Sequence, residues 1–331
     1  MNKITKLILS ALPLCALTVL TSCEGSPITI DDAIANQRVM AAVQDMTTGR
    51  MDSFEIDVVA DVNYNGKVYD ESSTLLTERE LAAGGEIHIK ANELFADDAK
   101  ASITTSASLH AEENSEVLVD IEAGAALYLD AGWLYADLTE IEDILTMAEV
   151  DVPEVLTLKT QVGNLATALE IDPDAPATTP IDMNALLPYV NEIEGIEATE
   201  LNGELTVVYT ITMNDVASVF LLSLEQSGEI DLTGLTSEEI EAYHTMALEY
   251  ISEFINITKA EFTLGVNAEG YISKFYVDVD VTVFSSSGDV PNGTEVSELE
   301  ASLHIDISNL NKVVDVVLPD NLDTYTEINL Q

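Results

Sequence analysis

Between Phe54 and Tyr64 the chain alternates without interruption. Phe54, Ile56, Val58, Ala60, Val62 and Tyr64 are separated by Glu55, Asp57, Val59, Asp61 and Asn63. Side chains on a strand change face at every residue, whereas a helix repeats every 3.6 residues, so this run can only be a strand. One of its faces is apolar and the other largely polar, the pattern of an antiparallel sheet with a covered and a wet side. The same pattern predicts strands over 68–76, 85–91, 101–110, 116–122, 125–130 and 133–138, with short polar breaks between them as in a meander. It returns over 203–213, at Ala260, Phe262, Leu264 and Val266, and along Tyr271 to Val283 after a turn at Glu269–Gly270. Leu299 to Ile307 and Val313 to Leu318 complete about eleven strands. The strand-rich parts on either side of the middle of the chain can form one continuous sheet.

The stretch DVNYNGKVYDES, Asp61 to Ser72, bears on how the first strand ends. Asp61, Asn63, Asn65 and Gly66 fall at the first, third, fifth and sixth positions of an EF-hand calcium loop. The twelfth position is Ser72 instead of a bidentate glutamate, and the entering segment is a strand instead of a helix. Asn65–Gly66 between two alternating runs is a strong signal for a type I′ hairpin, because both residues tolerate positive φ. The expectation is a hairpin corner at Asn65–Gly66.

Helical spacing appears at Ala33, Ile34, Val39, Met40, Val43 and Met46, with Asp31 or Asp32 placed to cap the start and Gly49 to end it. Further helices are expected from Thr139 to Val150, over 155–171, over 182–193 and after Asn214–Asp215. Thr236-Ser-Glu-Glu239 is a capping box that opens a helix carrying Ile240, Tyr243, Ala247, Leu248, Ile251 and Phe254.

The N-terminus sets the expected compartment. Lys3 and Lys6 precede a short apolar run, Leu7 to Leu20, which reads as a secretory leader too short to span a bilayer. It ends in Leu20-Thr21-Ser22-Cys23, which resembles the bacterial lipobox. Cys23 is therefore the expected lipidation site, and two acyl chains on it would anchor the protein stably to the extracytoplasmic side of a cell membrane. Residues 1–22 are the leader and 23–30 the tether. Residues 31–331 are expected to form a single domain with a helical insertion at about 139–256. Cys15 goes with the leader, so no disulfide framework is available.

Twelve Lys and Arg less the two in the leader leave ten, against 60 Asp and Glu. A surface this acidic repels nucleic acid. A hydrophobic content of 47% still argues for a folded chain.

The order of elements, with Ala126 to Asp137 as strand–turn–strand, Leu205 to Met213 running into a helix and strands ending at Asn309 to Pro319, resembles the LolA/LppX-like half-barrel lipoproteins. That resemblance implies an α+β fold in which a large curved antiparallel sheet carries helices over its concave face. It further implies a bound lipid or other apolar ligand.

Site chemistry is sparse. His88, His110, His244 and His304 stand singly, and no phosphate loop, nucleophile elbow or dinucleotide fingerprint is present. Asp278 and Asp280 share a strand face that reads as solvated, and no metal, cofactor or catalytic residue is assigned. Trp133, Tyr135, Phe262 and Phe275 are the candidates to line a ligand cavity. The expected function is a monomeric, membrane-anchored carrier of an apolar ligand, not an enzyme. The alternative is an acidic adhesive lipoprotein that meets a cationic partner or cell-envelope component and has no ligand cavity.

Overall fold

The computed structural model describes residues 27–48, 51–142, 155–163, 193, 195–286 and 293–328. Among them the two strand-rich parts do form one sheet, mostly antiparallel and not closed. Its strands are β1 (Ile28–Thr29), β2 (Phe54–Tyr69), β3 (Leu75–Asn92), β4 (Lys100–Glu113), β5 (Glu116–Asp130), β6 (Trp133–Asp137) and β7 (Thr157–Gln161). They continue with β8 (Gly195–Leu201), β9 (Glu204–Thr210), β10 (Ile255–Val266), β11 (Ile272–Ser286), β12 (Thr294–Ser308) and β13 (Thr326–Glu327). In space the order is β1-β8-β9-β10-β11-β12-β2-β3-β4-β5-β6-β7-β13, and only the β7–β13 pair is parallel. The helices are α1 (Asp32–Thr48), α2 (Met213–Ser227) and α3 (Ser237–Ser252).

The first strand does not turn at Asn65–Gly66. β2 continues to Tyr69 and pairs along its length with β12 on one side and β3 on the other. Two ladders outweigh a local turn preference, because turning there would strip β12 and β3 of partners over the last four residues of β2. Gly66 fits the ladder through its neighbour: a Cβ on Gly66 would run into the phenol of Tyr64, whose ring occupies the space a side chain would take. Tyr64 Oη also lies 3.2 Å from Ser297 Oγ on β12. The cost of keeping the asparagine in the strand is visible in Asn65 Oδ1, which is buried without a hydrogen-bond partner.

The turn is made by Asp70 to Thr74 instead. Asp70 Oδ1 accepts from Ser72 N at 2.8 Å, Ser72 Oγ at 2.7 Å and Thr74 N at 2.8 Å, and Ser73 takes a φ of 61°. These donors, the Ser72 hydroxyl first, hold the Asp70 carboxyl below the usual carboxylate range.

Other boundaries also shift. β3 and β5 run through Gly84–Gly85 and Gly124, where breaks were expected: 85–91 is the latter part of a strand that begins at Leu75, 116–122 and 125–130 are one strand, and the expected strand 68–76 is split by the turn between β2 and β3. Residues 157–161, expected to be helical, form β7, and β8 lies just ahead of the expected 203–213 strand. Among the described residues the region 139–256 thus carries β7, β8, β9 and the start of β10 besides α2 and α3. Thr139–Ile141 is a short 3-10 turn, while 143–154 and 164–192 of the expected central helices lie outside the described residues. Val313 to Leu318 is extended but joins no ladder. The helix after β9 is capped by Thr212, not Asn214 or Asp215; Asp215 is the reciprocal partner of that capping box. Thr236 and Glu239 form the expected box on α3.

Helix α1 is capped by Asp31, whose Oδ1 accepts from Ala33 N at 3.1 Å. It buries Ala35, Val39 and Ala42 against Ala198, Leu205, Val207, Tyr209, Val266 and Ile272. The small side chains of α1 let the helix sit close on the sheet. Tyr209 Oη donates to Asn36 Oδ1 at 2.6 Å, and burial, with Asp32 nearby, pushes the phenol up to about 12. Arg38 pairs with Glu200 across the same contact. α2 and α3 pack chiefly on each other through Ala217, Leu221 and Ala247, and α3 reaches the sheet at β10.

The chain after β12 crosses the end of the sheet where β2 begins and β3 ends. Asn311 N donates to Ser53 O at 2.7 Å, Val314 N to Asn92 Oδ1 at 3.0 Å, and Tyr325 Oη to Asp137 Oδ2 at 3.2 Å. Leu310, Val314, Val316, Leu322 and Tyr325 are buried along this path, while Val313 and Val317 between them are exposed.

Candidate functional site

Strand register sorts the sheet into two chemically distinct faces. On one face Val58, Ala60 and Val62 of β2 lie opposite Ile87, Gly85 and Ala83 of β3, and opposite Ile305, Leu303 and Ala301 of β12. The row continues outward through Thr105, Ala107 and Leu109 of β4, and through Phe275, Val277 and Val279 of β11. Leu127 and Ile121 extend it on β5.

Helix α1 covers this face only toward β8–β11. Over β12 and β2–β5 no described element lies on its central part. Ile87 and Leu127 each keep 38% of their surface exposed, and Leu81 keeps 36%. Scattered apolar residues at a surface are ordinary, but a contiguous apolar face of this extent is not.

The opposite face is ionic. His88 Nδ1 lies 2.7 Å from Asp57 Oδ1 and its Nε2 lies 3.4 Å from Glu86. His110 bridges Glu112 and Asp120, and His304 meets Asp278 while its ring lies 4.5 Å from that of Tyr276. Lys67, Lys90 and Lys259 reach carboxylates on neighbouring strands.

Long acids around small residues leave two hollows on this face. One, about 650 Å³, is floored by Gly84, Ser106 and Ser108 and walled by Asp61, Glu86, Glu122 and Glu140. The second, about 540 Å³, lies among Glu80, His110, Asp280, Glu298 and Glu300. Among the described residues no group of three or more His, Cys, Asp or Glu is arranged to hold a metal ion. Asp278 is engaged by His304 and Lys259, while Asp280 lines the second hollow.

The Asp57 hydrogen bond, assisted by Glu86, raises the pKa of His88. The sign follows by linkage: the stabilisation is complete below the ordinary histidine value of about 6.5 and is lost as pH rises through the raised folded value. A histidine resonance titrating above that value is expected by NMR, moving down in Asp57→Asn. An unmoved midpoint would show that the pair does not hold the proton.

The four residues expected to line a cavity do not converge. Phe262 and Phe275 lie on the apolar face, Phe262 against the rim of the α1 core. Trp133 and Tyr135 lie on the opposite face near β6, in register with Asp130 and Tyr128. The Tyr135 ring meets Tyr325 edge-on at 5.9 Å. The residues that dominate the open face, Leu81, Ile87, Leu127 and Leu303, are aliphatic. Their period-2 spacing is the signal in the sequence that marks them.

No protein-family profile matches this chain, and no curated protein does. Solved structures align only loosely. The attachment invasion locus protein Ail of Yersinia pestis, solved with a heparin analogue, is 6% identical, covering 76% of this chain and 98% of Ail with a TM-score of 0.13. A β-barrel-like DUF1849 protein of Brucella abortus is 9% identical, covering 78% and 100%, also at 0.13. OccK7 of Pseudomonas aeruginosa is 8% identical, covering 78% and 99%, at 0.17. At such scores none of them bears on fold or function here. Among the described residues no helix is long and apolar enough to cross a membrane.

Proposed function

We propose that this protein is a lipid-anchored, extracytoplasmic binding protein that holds a lipid-like, chain-bearing ligand against the open apolar face of its sheet. The observation that carries the reading is that face, continuous over β12 and β2–β5 with Ile87, Leu81 and Leu127 more than a third exposed. Removing apolar area from water is worth about 25 cal/mol per Å², so a long alkyl chain laid across several strands gains several kcal/mol. In this reading the sheet curls as a half-barrel about its apolar side, α1 forms one wall on the concave face, and the protein has no catalytic role. Acylated Cys23 is the anchor. Ile28 follows it by five residues, a reach of at most about 18 Å, which would hold the edge of the sheet near the membrane.

The test is a solvatochromic apolar dye added to the native protein after solvent extraction, with the extract examined for lipid by mass spectrometry. Saturable binding at a fixed stoichiometry, reversed by a long-chain amphiphile, is expected. A native protein that leaves the dye unbound sinks the reading.

The 650 Å³ hollow favours a second reading, adhesion to a cationic partner, because its lining holds four carboxylates and no Lys or Arg. Binding that disappears in about 1 M salt, where the Debye length falls to about 3 Å, and that ignores changes on the apolar face would select it.

A further inference from the structure

Resting on the open-face reading, we infer that the ligand is an amphiphile with a cationic head, oriented with its tail toward the end of the sheet crossed by the C-terminal segment. Two observations fix the orientation. At the end where β2 begins, Ala91 and Leu129 of this face are buried and stand in register with Phe54, Ala101 and Leu134, so a polar head placed there would lose its water and find no polar side chain. At the other end the apolar row of β12 runs out into polar groups on the same face, beside Val68 of β2, which is buried. These are Glu295, in register with Val68 and Ser285, and one step nearer the apolar rows Ser297 with the hydroxyl of Tyr64. Between the two ends Leu299 to Ile307 spans eight residue-to-residue steps, about 26 Å at strand rise, enough for an extended long alkyl chain.

Charge then selects the head. Arg79 is the only basic side chain on this face along β2–β5, β11 and β12, and it is already matched by Glu113, with Nε 3.5 Å from Oε1. Glu295 has no basic partner among the described residues. The chain as a whole carries a formal charge of −48. A carboxylate or phosphate head would meet like charge locally and at long range. An ammonium head would meet the Glu295 carboxylate, two hydroxyls and the face of a tyrosine ring.

The experiment compares dodecyltrimethylammonium and dodecanoate, each below its micelle concentration, and dodecanol, below its solubility limit, as displacers of the apolar-face dye. At about 20 mM salt, where screening is weak, the cationic compound is expected to displace the dye at about tenfold lower concentration than dodecanoate, with dodecanol between them. The gap should narrow in about 0.5 M salt. Glu295→Gln should weaken the cationic compound about threefold and leave dodecanol unchanged, while Glu86→Gln on the polar face changes neither. Dodecanoate binding as tightly as the cation at low salt, or a preference untouched by Glu295→Gln, overturns the inference while leaving the open face intact. Failure of all three compounds to displace the dye overturns the inference together with the open-face reading.

Discussion

Leu205→Ala is expected to destabilise the protein by about 3 kcal/mol, read as a lower denaturant midpoint with an unchanged slope. Leu205 is 1% exposed and packs in the cluster where α1 meets the sheet, with Val207, Val266 and Ile272 around it and α1 across from it. The helix presents Ala35, Val39 and Ala42 there, residues too small to refill the space a leucine leaves, so a cavity persists. Buried cores elsewhere in the described residues are small, as in the Ala217, Leu221 and Ala247 contact between α2 and α3. A large share of the stability therefore rests on α1. As a control, Ile240→Ala on α3, where the side chain is 40% exposed, should cost well under half as much. Equal losses at the two sites would mean that α1 does not hold the sheet.

The second large effect concerns binding. Ile87→Glu combined with Leu127→Glu is expected to abolish saturable binding of the apolar dye, a loss of at least about tenfold, while shifting stability by no more than about 1 kcal/mol. Both side chains are 38% exposed in the folded protein, so a glutamate at either place can keep much of its hydration. A bound alkyl chain would remove that water, and a carboxylate buried against hydrocarbon without a partner is strongly disfavoured. The separation of the two readouts is the test. Loss of dye binding accompanied by global unfolding would show that these residues serve the core, and retained binding would place the ligand elsewhere.

How much of this was legible beforehand differs from element to element. The alternation from Phe54 onward marked β2 because face choice on a strand is a local property of consecutive residues. The capping box at Thr236 and Glu239 was legible for the same reason, since its partners lie three residues apart. Asn65–Gly66 misled because the turn signal is local while the competing force is not. β12, more than 220 residues away in the chain, pairs through that point and carries the strand on to Tyr69. Residues 157–161 misled similarly: five residues cannot show a period, and what makes them a strand is pairing with β6 on one side and β13 on the other.

The candidate site divides along the same line. That one face would be apolar and the other ionic, and that the surface would be acidic, followed from composition and alternation alone. Cys23 as the expected anchor rested on the resemblance of Leu20 to Cys23 to a lipobox. That Trp133 and Tyr135 fall on the opposite side from Phe262 and Phe275, that α1 covers only the β8–β11 side, and that β12 joins β2 to make a wide open face became visible only with the strands assembled. Alternation records which side of its own strand a residue occupies. It carries nothing about which distant strand lies alongside, and that pairing is decided by backbone hydrogen bonds and packing between segments far apart in the chain.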